Sequence, residues 1–107
     1  MQKDLSTIHQ LISNMFVWPQ SAKEWEPYKL SNEQVQSFRE NGFLSGVKML
    51  DEQQMDAIRK ALEEIADPMH PGHHLFYEFN SNESTDPNTI LFHALGAWRI
   101  APALHDV

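Results

Sequence analysis

The stretch LSNEQVQSFRENGFLSGVKMLDEQQMDAIRKAL, Leu30 to Leu62, predicts a helix, a glycine stop, a short strand and a second helix. Both helix starts carry the same signature. Ser31 is followed three residues later by Gln34, and Asp51 three residues later by Gln54. At that spacing the cap side chain and the residue three on can each satisfy an otherwise orphaned helix amide. Leu30 with Val35 and Leu50 with Met55 are spaced as hydrophobic staples. The first helix is expected over 32–41, with Gly42 adopting the left-handed conformation that ends it. Phe43 to Leu50 follows as a strand, with Gly46 a candidate bulge. In the second helix Met55, Ile58, Leu62 and Ile65 form one apolar stripe among charged neighbours. Asp67-Pro68 ends it, because a residue before proline is pushed out of the helical region.

The flanks are less regular. Leu5, Ile8, Leu11, Ile12 and Met15 recur at helical spacing, so an amphipathic helix is expected over residues 4–16. Pro19 and Pro27 punctuate an aromatic connector holding Trp18, Trp25 and Tyr28. Residues 1–29 therefore divide off as an N-terminal extension, and 30–107 as the domain proper. Beyond the second helix, Met69–His74 (MHPGHH) is a loop with three histidines. Adjacent His73 and His74 face opposite ways in an extended chain, which argues against a shared metal ion. Leu75–Asn80 is expected as a strand and 81–88 as a polar loop. Asn82-Glu83-Ser84 has the form of a glycosylation sequon, with no export signal to give it meaning. Ile90–Ile100 is the most apolar window, either a buried strand or a buried helical turn, with His93 as a core histidine. Pro102 opens a last helix of little more than a turn.

Composition excludes several functions. A chain of 107 residues that is 41% hydrophobic holds one domain or part of one. A net charge of −7 argues against nucleic-acid binding, which needs clustered Lys and Arg. The absence of cysteine removes disulfides and thiolate metal sites. No apolar run approaches membrane-spanning length and no signal peptide opens the chain, so a cytoplasmic protein without a membrane partner is expected. The unfinished last helix and the scarcity of strands predict the N-terminal part of a larger domain.

Two blocks, residues 31–65 and 91–107, together and in this order, resemble the phytanoyl-CoA dioxygenase family of Fe(II)- and 2-oxoglutarate-dependent oxygenases. The first block has the family's helix, Asn-Gly-Phe turn, strand, acidic cap and long amphipathic helix. The second, LFHALGAWRIAPALHDV, is similar to the segment upstream of the catalytic jelly roll. The resemblance implies an α+β fold: N-terminal helices and edge strands of a double-stranded β-helix, incomplete in this chain. It also implies a hydroxylase acting on a small-molecule or acyl substrate, with Fe(II) and 2-oxoglutarate as cofactors of the complete protein. The family's iron is held by a His-x-Asp or His-x-Glu pair and a distant histidine. None of His9, His70, His73, His74, His93 and His105 has an acidic residue two positions later; Asp106 directly follows His105. Where some members carry a 2-oxoglutarate-binding lysine, this chain has Thr89, Ile90 and Leu91. No catalytic, cofactor-binding or metal residue is therefore assigned here. Tyr77, His93 and Trp98 are the candidates for lining a substrate pocket, and the MHPGHH loop for covering its entrance. Two alternatives remain: a small acidic non-enzymatic α+β interaction module using Trp18 and Trp25, and a histidine metal binder using the MHPGHH loop.

Overall fold

A computed structural model describes residues 2–107. Four α-helices occur in chain order: α1 (Ala22–Trp25), α2 (Asn32–Asn41), α3 (Glu52–Ala66) and α4 (Pro102–Asp106). Two short strands, β1 (Glu78–Asn80) and β2 (His93–Leu95), pair antiparallel with Phe79 opposite Ala94. The fold is thus a small α+β arrangement with a two-stranded sheet. Two compact units divide the chain, one formed by residues up to Phe16 together with Glu52–Val107, the other by Val17–Asp51.

In the Val17–Asp51 unit, local rules dominate. Ser31 Oγ accepts from the Gln34 amide at 3.1 Å, and Gln34 Oε1 accepts from the Ser31 amide at 2.8 Å, closing the expected capping box. Gly42 ends α2 with φ +78° and donates its amide to Phe38. That backbone is costly for any residue with a Cβ. Ser31→Ala should therefore cost about 1 kcal/mol, read from the denaturation midpoint at constant slope. The strand expected over 43–50 does not form. No ladder partner pairs with it among the described residues, and Gly46 turns the chain at φ +75°. β-pairing, unlike a helix, needs a second segment to satisfy its backbone. Among its described residues this unit buries no side chain completely.

The other unit has a core. Ala61 and Ile65 of α3 meet Ile100 and Ala101 at the entry to α4, with Leu75, Phe76, Phe92 and Leu104 packed around them. Helix α3 runs where its periodicity predicts and stops before Asp67-Pro68. Its buried stripe is rotated, however: Leu62 is 41% exposed whereas Ala61 is buried. Small residues at Ala61 and Ala101 let α3 and α4 approach closely, which turns the larger Leu62 outward. A short 3-10 turn, His73–Leu75, leads into β1, so the strand expected over 75–80 is reduced to its last three residues. Among the hydrophobic side chains of the 90–100 window only Ile100 is fully buried, with Phe92 and Ala97 packed partly against the core. Ile100 is 2% exposed but Ile90 is 77% exposed, and Gly96 at φ +96° separates β2 from a 3-10 turn at Ala97–Arg99.

The MHPGHH segment meets this core through Gly72, while Met69, Pro71 and His74 stay exposed. Gly72 is buried, and a Cβ there would lie 2.5 Å from Ile100 Cγ2 and 3.0 Å from the His70 ring. Ile100 Cγ2 is one bond from a branched carbon and cannot swing away freely. Gly72→Ala should cost about 1 to 3 kcal/mol by overpacking, checked by chemical denaturation.

The helix expected over residues 4–16 is replaced by one 3-10 turn, Leu5–Thr7, followed by irregular chain. Asp4 caps that turn by accepting from the Ser6 amide at 2.9 Å. Beyond it, side chains from elsewhere in the fold engage backbone groups that a helix would have paired internally. Tertiary partners have outcompeted a weak local preference.

Candidate functional site

The three residues expected to line a pocket lie on or beside the small sheet. Tyr77 is 63% exposed; its amide donates to the Leu95 carbonyl at 2.8 Å. The Arg99 guanidinium stacks over the Tyr77 ring, 4.6 Å from its centre. A Cβ on Gly96 would meet that ring at 2.8 Å, so glycine is needed there for contact as well as for its backbone angle. Trp98 stands on the 97–99 turn, 42% exposed. His93 is half-exposed on β2 rather than a core histidine. Its Nε2 lies 3.8 Å from Glu78 and its Nδ1 3.6 Å from Glu83. The carboxylates flank opposite edges of the ring, so all three groups cannot converge on one ion.

The loop histidines are tied to backbone. His70 Nδ1 accepts from the Gly72 amide at 3.0 Å. His74 Nδ1 donates to the Pro71 carbonyl at 3.0 Å, and His73 Nε2 to the Ile65 carbonyl at 3.2 Å. The His73 ring also packs on Phe79 at 4.2 Å and edge-on to Phe76 at 5.2 Å. These contacts make His73 a bridge between the end of α3 and the aromatic cluster. Among the described residues, no group of three or more His, Cys, Asp or Glu is placed to hold a metal.

The densest polar arrangement joins the two ends of the chain. Asp106, whose side chain is fully buried, receives the Ile12 amide on both oxygens at 3.0 Å. It also receives the Ser13 amide at 2.7 Å and the Ser13 hydroxyl at 2.6 Å. His105 Nδ1 lies 2.8 Å from Asp106 Oδ1, and its Nε2 lies 3.0 Å from the Ile8 carbonyl. A carbonyl and a carboxylate accept here, so each contact is a hydrogen bond only while that ring nitrogen carries a proton, and the pair of acceptors favours the doubly protonated imidazole. The Asp106 hydrogen bond is the main cause of a raised His105 pKa, with the Ile8 carbonyl adding to it. Burial pushes Asp106 upward, but donors from Ser13, His105 and the Ile12 and Ser13 amides outweigh it and bring the carboxyl to about 2. Nearby, Asp4 accepts from Arg99 Nη2 at 2.5 Å, and Arg99 Nη1 donates to the Leu75 carbonyl at 2.8 Å. The Arg99 hydrogen bond holds the Asp4 carboxyl well below the usual range.

Serine, histidine and aspartate together invite comparison with a nucleophilic triad, but the order is wrong. In a triad the histidine takes the serine proton and the aspartate orients the histidine. Here Ser13 donates to Asp106, and His105 spends both nitrogens on other acceptors. The arrangement is a charged clamp on residues 8–13. In the sequence the His105-Asp106 spacing fails for iron, and nothing local signals a partner more than ninety residues away.

No family model, curated protein or solved structure matches this chain. The fold itself defines a small α+β protein with a two-stranded antiparallel sheet. No helix among the described residues is long and apolar enough to cross a membrane.

Proposed function

We propose that this chain supplies the N-terminal helices and edge strands of an Fe(II)/2-oxoglutarate-dependent oxygenase of the phytanoyl-CoA dioxygenase type. In the complete protein these elements would buttress a jelly roll that hydroxylates a small-molecule or acyl substrate. The carrying observation is the two-stranded sheet. Each strand is three residues long, each has one unpaired edge among the described residues, and Ile90, Leu91 and Leu95 beside it are exposed. Open edges and apolar side chains of this kind are stabilised when further strands and cover are added. The resemblance of residues 31–65 and 91–107 to that family names the sheet that would add them.

The residues present do not compose the iron site, so no reaction step is assigned to them. The test is the reading frame beyond the Val107 codon. The proposal expects a His-x-Asp or His-x-Glu, a distant second histidine and a late basic residue. The longer product should convert 2-oxoglutarate to succinate in an iron-dependent manner. A frame that stops without them would overturn the assignment.

The second reading, a small acidic interaction module, draws on one cluster. Trp18 and Trp25 have ring centres 5.9 Å apart, Trp25 and Tyr28 6.0 Å, and all three are exposed. Exposed aromatics are enriched at protein interfaces. Saturable amide shifts confined to residues 18–28 on adding a partner would favour this reading.

A further inference from the structure

Residues 8–13 have no regular secondary structure, and their hold on the rest of the chain is chemically specific. The Ile8 carbonyl is held by His105, and the Ile12 and Ser13 amides by Asp106. Further along, the Met15 carbonyl accepts from Gln54 Nε2 at 2.8 Å. The His105–Ile8 bond exists only while Nε2 carries a proton, and the His105–Asp106 bond only while Nδ1 does. A neutral imidazole has one N–H for two acceptors. From these contacts we infer that residues 8–13 are a strap latched onto α4 by the His105–Asp106 pair, and that the latch loosens when His105 becomes neutral.

Among the surrounding charges His105 is the titrating element of the latch: His9, on the strap itself, is exposed and, among the described residues, forms no hydrogen bond or ion pair with His105 or Asp106. Arg99, on the 97–99 turn, is taken by Asp4 and Leu75; Arg59 of α3 is paired with Asp56. Glu52, Lys60, Glu63 and Glu64 of α3 are exposed, and among the described residues none pairs with His105. Asp106, at about 2, stays ionised throughout the neutral range. His105 is raised, chiefly by Asp106, so the latch is complete below about pH 6.5 and weakens as pH rises through the folded value. By linkage, each unit separating the docked and undocked pKa values changes the docking equilibrium tenfold between the two limits.

The experiment is amide hydrogen exchange on the 107-residue chain between pH 5 and 9, corrected for the intrinsic rate, with the His105 ring titrated by NMR in parallel. Protection at Ile12 and Ser13 should fall on the alkaline side by the factor that the His105 titration sets, while the Ile65 amide stays protected. His105→Gln should abolish that pH dependence. PH-independent protection, no protection at any pH, or an equal loss at Ile65 would each overturn the latch. So would a pH dependence that survives in H105Q.

Discussion

Ile65→Ala is expected to lower the unfolding free energy by about 2 to 5 kcal/mol, whereas Leu62→Ala should cost under ~1 kcal/mol. The two residues are three apart on the same helix, and sequence periodicity puts both on the apolar stripe. Ile65 is 1% exposed and touches the α4 entry, so truncation leaves a cavity that close-packed neighbours cannot fill. Leu62 already meets water over much of its surface, and removing its methyl groups returns little to solvent. Urea denaturation of both variants, followed by far-ultraviolet circular dichroism, checks the ranking. Equal losses would mean that α3 is rotated from the orientation described.

Asp106→Ala is the second large effect, about 2 to 3 kcal/mol at pH 6. The substitution strands the Ile12 and Ser13 amides and the Ser13 hydroxyl, and leaves His105 beside an empty place. The figure is below that for a fully enclosed pair because Ile12, whose amide Asp106 holds, is itself 36% exposed, so water can reach part of what the substitution strands. The pH dependence follows from two opposite shifts. Asp106 is depressed, so its contribution is present above an unfolded value near 4 and is lost as pH falls through about 2. His105 is raised, so its contribution is full below about 6.5 and is lost as pH rises through its folded value. Both act together between about pH 4 and 6.5. Asp106→Ala should flatten the alkaline limb, because Asp106 is the main cause of the His105 shift. It should only soften the acid limb, where Asp4, Glu33 and Asp86 are also depressed. Stability profiles of the two proteins from pH 3 to 9 decide this; an unchanged alkaline limb in the variant would contradict it.

The candidate pocket residues were legible only as residue types. Tyr77 and Trp98 stand out in any apolar window, but their exposure depends on Gly96 and on where Arg99 reaches. His93 looks like a core histidine because its sequence neighbours are apolar. The structure places it at a short strand whose outer face is open, between Glu78 and Glu83. The clamp at His105-Asp106 was not legible at all, since its partners lie at the opposite end of the sequence.

By itself the sequence determined α2 with its capping box and Gly42 stop, the extent of α3, the break at Asp67-Pro68 and the helical start at Pro102. All of these rest on interactions within a few residues, where side chain and backbone satisfy each other locally. Tertiary structure decided the rest. Phe43–Leu50 lacks the second strand it would need, Leu62 yields its inward place to Ala61, and residues 4–16 surrender helical hydrogen bonds to Asp106 and His105. Each of those outcomes turns on a partner distant in sequence, and local periodicity carries no information about where that partner will be.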